Sequence, residues 1–537
     1  MKRIHLLLLS ILSGIILAVS WPENGFNLLV FVGFVPLFFV QQYLGDTNKK
    51  GIFWYAWLAF LVWNVLTTWW VWYSTSVGSI FAMGLNSLFV AFVFYVFHIT
   101  KKNIFQNKKG FGILIFYWIS WEYFHMNWDL TWPWLNLGNV FASSPKWIQW
   151  YEITGALGGT LWVLLANILF YHIIHAAICK KSKRTIIANS LIVIALLAAP
   201  ISYSYYLYNS YQEVENPIEV VVVQPNTDPY NEQYDLSPIV LLEKNLKLAE
   251  EKITENTQFV VFPESTLYDG LKGIREDNLL GSELIQGLKD FSHKYPQLSI
   301  VIGASTFRIA EDGEQLEKAA RKFKGGREGY YYVYNTALFI DTSEFIQIHH
   351  KSKLTPGVEN MPSLGFLKPL ENLAINLGGT TGSLGTEKNP IIFTDEKGIT
   401  IAPIICYESV YGEFVGNYIS KGAQAIFVIT NDGWWSDSPG HRQHFLYSKL
   451  RAIETRRSIA RSANTGISAF INQRGDVFQK TEYWVPAVLN GTINLNDKLT
   501  YYSKNGDYIA RISGFISALL LLVSFTQGIL KRKKKLV

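Results

Sequence analysis

The stretch ITIAPIICYES, residues 399–409, decides how the larger part of this chain folds. From Ile399 to Cys406 it is almost wholly apolar and β-branched. A strand with one face in water alternates polar and apolar residues; this one does not, so it reads as a strand buried on both faces. Runs of the same kind lie on either side: IEVVVVQ (218–224), FVVFPE (259–264), LSIVIGAS (298–305), YNTALFI (334–340), AIFVITND (425–432) and GISAFIN (466–472). Helical patterns separate several of them, among them SPIVLLEKNLKLAEEKI (237–253) and HRQHFLYSKLRAIETRRSIA (441–460). Strands interleaved with helices predict an α/β domain over about 212–505. The charged stretch 314–328 and the Gly-rich GGTTGSLGTEKN (378–389) read as loops.

Three reactive residues fall at strand ends, where layered α/β folds build their sites. Glu264 ends FVVFPE, Lys351 follows FIQIHH (345–350), and Cys406 ends the quoted run. Taken singly, each has an ordinary reading. Glu264 suits a helix cap or a surface ion pair, Lys351 a solvated lysine, and Cys406 a small buried hydrophobe. Together they form a chemical set. A thiol must become a thiolate to attack an ester or amide carbonyl. A nearby carboxylate takes its proton, and an ammonium stabilises the thiolate and the developing oxyanion. One oxyanion contact is worth about 3–4 kcal/mol in the transition state. No G-x-S-x-G elbow, HExxH, P-loop or dinucleotide fingerprint occurs.

The rest of the chain is different in kind. Hydrophobic residues make up 49% of the 537, charged residues 17%, and there are 18 tryptophans, the excess expected at membrane interfaces. Apolar stretches long enough to cross about 30 Å of hydrocarbon recur at 4–20, 27–44, 52–74, 78–100, 111–125, 155–178, 186–208 and near 509–530. The fifth is short and runs into WDLTWPWLNLG (128–138), an interfacial or re-entrant segment. The expectation is about eight spans: a bundle over 1–211, the α/β domain over 212–505, and a last helix with a basic tail over 506–537. Residues 1–20 also fit a cleavable signal peptide, which would leave the sidedness downstream unchanged.

Net charge is +6, and its distribution matters more than its size. Basic residues gather at every second junction: Lys2 and Arg3; Lys49 and Lys50; Lys101, Lys102, Lys108 and Lys109; Lys180, Lys181, Lys183 and Arg184; and the tail from Lys531 to Lys535. The opposite junctions are nearly free of them, Lys146 excepted. The positive-inside rule explains this pattern better than a nucleic-acid patch does. It predicts cytoplasmic even junctions, a cytoplasmic C-terminus and an external α/β domain. Cys179 and Cys406 then lie on opposite sides and form no bridge.

The motifs FPES (262–265), K-x-x-L-x-P-x-x-E (Lys351 to Glu359) and ICYES (405–409) resemble the nitrilase superfamily, whose members use a Glu-Lys-Cys triad on an α-β-β-α sandwich. With the spans, NDGWWSDSPGHRQH (431–444), RSANTGISAF (461–470) and WPWLNLG (132–138), the whole length resembles the apolipoprotein N-acyltransferase family, eight spans with a periplasmic nitrilase domain before the last. The resemblance implies Cys406 as the nucleophile, Glu264 as the general base and Lys351 at the oxyanion. It implies Glu359 as a second acid orienting Lys351, with Tyr407 and Glu408 as support beside the nucleophile. Phe262 replaces the family's usual Trp, PGVENMP (356–362) replaces its Pro-Phe-Gly-Glu form with Glu359 in register, and Tyr234 stands where a functional Trp is expected.

The implied activity is transfer of an acyl chain from a phospholipid to the α-amine of the S-diacylglyceryl cysteine of an apolipoprotein, through a Cys thioester. No metal, other cofactor, nucleic acid or second subunit is needed, and the site is the bacterial inner membrane. Phe366, Leu367, Trp434 and Trp435 are candidate lid or substrate-binding residues, with core packing as their other reading. The rival readings are a membrane-anchored nitrilase-type amidase, for which one anchoring helix would suffice, and a transporter or sensor, which would carry more ionisable groups inside its spans than Glu122, His125 and His172.

Overall fold

The computed structural model describes residues 1–23, 25–232, 235–270, 273–323, 328–360 and 383–536. The chain forms two compact units. One comprises Met1–Trp72, Ser76–Ser210 and Asn505–Val537; the other comprises Tyr73–Thr75 and Tyr211–Lys504.

The first unit is helical. Six helices among the described residues are long and apolar enough to cross a membrane: Asn27–Asp46, Ile52–Tyr73, Gly78–Phe105, Ala156–Ile178, Lys183–Ser210 and Tyr508–Lys531. They mark the chain as an integral membrane protein. In hydrocarbon every backbone N–H and C=O must be paired within the protein, which a helix achieves by itself. Six replaces the expected eight. The first stretch folds as Arg3–Val19, 17 residues, and the fifth as Ile113–His125, 13 residues. At 1.5 Å per residue these reach roughly 25 and 20 Å, short of the ~30 Å core. Apolar composition proposed these spans; helix length removed them.

WPWLNLG also leaves helical geometry, running through 3-10 turns at Pro133–Leu135 and Leu137–Ser143. Its residues from Pro133 to Gly138 are buried, with Trp134 and Leu137 out of solvent, and Trp132 is half-buried. Glu122 accepts hydrogen bonds from the Leu137 N–H at 2.8 Å, Trp118 Nε1 at 2.9 Å and Thr160 Oγ1 at 2.7 Å. Irregular backbone is tolerated at membrane depth where the protein itself satisfies it in this way.

The second unit is a four-layer sandwich. One sheet contains β1 (Pro217–Gln224), β2 (Thr257–Val261), β3 (Ile274–Arg275), β4 (Ser299–Ile309), β5 (Arg321–Lys322), β6 (Tyr330–Ile340), β7 (Gln347–His350) and β14 (Ala487–Asn494). The other contains β8 (Phe393–Thr394), β9 (Thr400–Ile405), β10 (Ala425–Thr430), β11 (Ile459–Ala463), β12 (Ala469–Ile471) and β13 (Val477–Lys480). The first runs β14-β1-β2-β4-β6-β5, with β3 on β4 and β7 on β6; the second runs in sequence order from β13 to β8. Both are mixed: β1-β2-β4 and β9-β10-β11 are parallel, while β14, β6 and β12 join antiparallel.

Successive strand residues point to opposite faces, and apolar residues on both explain the layering. Val220, Val222, Phe259, Val261, Ile405, Phe427 and Ile429 form one core between the sheets. Val221, Val223 and Val260 face the other way, onto Leu242 of the Pro238–Glu250 helix and Leu288 of the Glu283–Lys294 helix. In the second sheet Ile404, Ile426 and Val428 pack on Val415 of the Gly412–Ser420 helix and Ala452 of the Pro439–Thr455 helix. The quoted run 399–409 therefore holds a strand, β9, covered on both faces, as its composition requires.

Candidate active site

Four strand exits bring the site together. Glu264 lies three residues beyond the end of β2, and Ser265 at φ +54° turns the chain away after it. Gly303 of β4 backs this turn: a Cβ there would stand 2.5 Å from Glu264 Cα and 2.6 Å from the Pro263 carbonyl oxygen. Lys351 follows β7, and its N–H donates to the Asn335 carbonyl of β6 at 2.8 Å. Cys406 follows β9 and opens a short 3-10 turn, Cys406–Val410, with φ +51°. Asn431 follows β10 and donates its N–H to Glu264 Oε2 at 3.0 Å.

The side chains form one network. Lys351 Nζ donates to Glu264 Oε1 at 3.0 Å and to Glu359 Oε1 at 2.9 Å. Asn335 Nδ2 donates to the same two oxygens, at 2.8 and 2.9 Å. Glu359 Oε2 accepts from the Thr355 N–H at 2.8 Å. Lys351 is 1% exposed, Glu264 7% and Cys406 9%, so their interactions are weakly screened by solvent.

Burial works against the Lys351 ammonium, but Glu264 and Glu359 outweigh it and hold the lysine protonated well above its ordinary range. Burial likewise opposes the Glu359 carboxylate, and Lys351 outweighs it, keeping Glu359 below the usual range. Burial, then the Glu264 charge, push the Cys406 thiol well above the ordinary value; Lys351 pulls the other way. Cys406 is therefore held as a neutral thiol beside the Glu264 and Lys351 side chains. Such a set can move the thiol proton to the carboxylate as the sulfur attacks and meet the developing oxyanion with the ammonium.

Glu408 is buried but does not join that network. Its Oε1 accepts from the Ser352 N–H at 2.6 Å, and its Oε2 accepts from the Ile405 N–H at 2.8 Å. It ties the residue after Lys351 to the residue before Cys406. Tyr407 is buried with its ring edge-on to Tyr411 at 5.3 Å, and burial, reinforced by Tyr411, pushes its phenol up. Trp434 and Trp435 are half-buried. The Trp434 carbonyl accepts from Tyr230 Oη at 3.1 Å, and the Trp435 ring lies 5.5 Å from His444. Tyr234, Phe366 and Leu367 lie outside the described residues.

Sequence reasoning missed Asn335. Its signal was a polar residue inside the apolar strand YNTALFI, pairing across 71 residues with Glu264. It also left Asp432, His444 and Arg461 without roles. Ligand atoms of Cys406, Asp432 and His444 lie within 4.8 Å of one another, a spacing that suits a metal. Both ring nitrogens of His444 and both Asp432 oxygens are instead engaged by protein groups, with Arg461 supplying the charge.

Both units of the chain resemble known proteins. The profile of the carbon-nitrogen hydrolase family matches residues 220–498, and that of the apolipoprotein N-acyltransferase N-terminal domain matches residues 13–169. The apolipoprotein N-acyltransferase of Chlorobaculum tepidum is 27% identical, with 96% of each chain covered. That of Geobacter metallireducens is 25% identical, covering 94% of this chain and 92% of its own. Among solved structures, an amidase from Nesterenkonia sp. aligns with 56% of this chain and 99% of its own at 14% identity, with a TM-score of 0.36. A bundle matching one profile, joined to a sandwich matching the other, places the chain in the carbon-nitrogen hydrolase family, among the apolipoprotein N-acyltransferases.

Proposed function

We propose that this protein N-acylates the α-amine of an N-terminal S-diacylglyceryl cysteine on apolipoproteins, with a membrane phospholipid as acyl donor. One observation carries the reading furthest: an ammonium shared by a buried and a partly buried carboxylate, beside a cysteine held in a left-handed turn, in a chain with six membrane-length helices among the described residues.

In the first half-reaction Cys406 Sγ attacks the ester carbonyl carbon and Glu264 takes the thiol proton. Lys351 holds the oxyanion. The tetrahedral centre collapses, the C–O bond breaks, and the Glu264 proton passes to the departing lysophospholipid alkoxide. A thioester remains. In the second half the acceptor amine attacks that thioester, and Glu264 accepts an amine proton. The C–S bond breaks, an amide forms, and the Cys406 thiolate recovers the proton. The thioester supplies the driving force for the amide, so no nucleotide is consumed. Glu359 orients Lys351 and keeps it charged, while Glu408 sets the distance between the Lys351 and Cys406 segments.

Both substrates are lipids. Drawing either out of the bilayer costs roughly 0.8 kcal/mol per exposed CH₂, which explains a site carried on a membrane bundle. The basic junctions support a cytoplasmic C-terminus and a periplasmic catalytic domain over about 212–505, in the inner membrane. Trp434 and Trp435 shelter the thioester from water in this reading.

The test is intact-mass analysis after incubation with a defined phospholipid, beside Cys406→Ala. The expected result is a gain of one acyl chain, absent in the variant and discharged by a diacylglyceryl-cysteine peptide. Hydrolysis of small amides without an acyl adduct would overturn the reading in favour of an anchored amidase.

A further inference from the structure

Behind the nucleophile lies a charged cluster that this transfer chemistry leaves unused. Asp432, two residues beyond β10, His444 of the Pro439–Thr455 helix and Arg461 of β11 are all wholly out of solvent. Asp432 Oδ1 lies 2.9 Å from His444 Nδ1 and accepts from Thr430 Oγ1 at 2.7 Å. Asp432 Oδ2 accepts from Arg461 at 2.7 Å. On the far side of the ring, His444 Nε2 lies 3.1 Å from the Cys406 carbonyl oxygen and 2.9 Å from Ser409 Oγ.

Ser409 Oγ donates to the Cys406 carbonyl at 2.7 Å and, with that proton so placed, accepts from the ring. A carbonyl and a carboxylate have no proton to give. Nδ1 thus faces the Asp432 carboxylate and Nε2 faces the Cys406 carbonyl, so an Nε2–H can donate to that carbonyl. Arg461, which also approaches Nδ1 at 3.1 Å, shares the Asp432 carboxylate with the ring. Burying this much charge is expensive, and the expense is tolerated where the groups fix something.

What they fix is the Cys406 carbonyl. A cysteine at φ +51° sits where side chains other than glycine and asparagine are strained. Such strain persists only where the surroundings over-determine it. The Ser409 hydroxyl and the His444 ring both hold the carbonyl that this turn presents. The charges of Glu264, Lys351 and Asp432 act on the thiol of the same residue.

We propose that His444, oriented by Asp432 and Arg461, is a positioning residue: it holds the Cys406 carbonyl, preserves the left-handed turn and so fixes where the thiol points. The inference rests on Cys406 being the nucleophile of the reaction proposed above.

The test uses the full-length protein in a Cys179→Ser background, which leaves Cys406 as its only cysteine. Two rates are followed by intact mass: alkylation by iodoacetamide from about pH 6 to 9, which needs no lipid, and acylation by a defined phospholipid. His444→Ala should slow both on the order of tenfold or more, with the half-saturating lipid concentration unchanged. His444→Gln, which can place a side-chain N–H near the Nε2 position, should recover much of the loss. Unchanged rates in His444→Ala would overturn the proposal. So would equal losses in both variants that track equal falls in thermal midpoint, the mark of a merely structural residue. If the parent takes no acyl chain while alkylation still depends on His444, the lipid reading fails and the positioning role stands.

Discussion

Replacing Glu408 with glutamine separates positioning from chemistry at this site. The carboxylate touches no reacting group; it accepts two N–H groups from the segment carrying Lys351, Ser352 at 2.6 Å and Lys353 at 3.4 Å, and one from the segment carrying Cys406, at 2.8 Å. Glutamine keeps one acceptor oxygen and puts an NH₂ where the other stood, so one backbone N–H then faces a donor. A hydrogen bond to a buried charged group is worth about 1.5–3 kcal/mol. Glu408→Gln should therefore destabilise the catalytic unit by about 2–3 kcal/mol. At roughly 2–4 °C per kcal/mol for a domain of this size, its melting midpoint falls by about 4–12 °C. The freed segment lets Lys351 and Cys406 drift, and a shift near 1 Å costs on the order of 10²-fold in rate. The assay is the first-order rate of Cys406 acylation at saturating phospholipid, at a temperature where circular dichroism shows the variant folded. A slow rate with an unchanged half-saturating lipid concentration is expected. A folded Glu408→Gln protein acylating at the parental rate would refute the latch.

Three further outcomes follow from the same geometry. Asn335→Ala removes the amide that donates to both Glu264 and Glu359, so acylation should slow by about 10–100-fold; a change under about twofold would show the bridge to be dispensable. Gly303→Ala would set a methyl 2.5–2.7 Å from Glu264 Cα, the Pro263 oxygen and the Ser265 nitrogen, all backbone atoms that cannot swing aside. It should cost about 1–3 kcal/mol of stability and slow acylation, and a parental melting curve would contradict that close approach. His350 lies 2.8 Å from Glu276; burial alone would lower it, but Glu276 and then Glu387 outweigh burial and raise it above 6.5. A group raised in the folded state stabilises fully below its unfolded value and loses that contribution as pH climbs through the folded one. The melting midpoint should thus fall as pH rises from about 6.5, and His350→Gln should flatten this slope; an equal slope in the variant would count against it.

Much of the molecule was legible without coordinates, because the decisive signals were local. Unbroken apolar runs such as IEVVVVQ and AIFVITND announced strands covered on both faces, and both became strands in a sandwich with helices outside each sheet. Glu264, Lys351 and Cys406 stood out because each is a reactive residue at the end of such a run. Basic runs between apolar stretches separated a membrane bundle from the rest. Span number was less legible. Hydropathy measures how apolar a stretch is, not how many residues stay helical, and Ile113–His125 stops at 13.

Long-range pairing was not legible at all. Nothing local in YNTALFI says that Asn335 bridges carboxylates 71 and 24 residues away, nor does NDGWWSDSPGHRQH say that its first Asp and last His stand behind the Cys406 carbonyl. Sequence alone determined where the buried strands of the sandwich lie and which side chains have reactive chemistry to offer, since backbone periodicity and side-chain chemistry belong to each segment by itself. Tertiary structure decided which buried donors meet which acceptors, because a polar group removed from water must find its partner wherever the packed sheets bring one within reach.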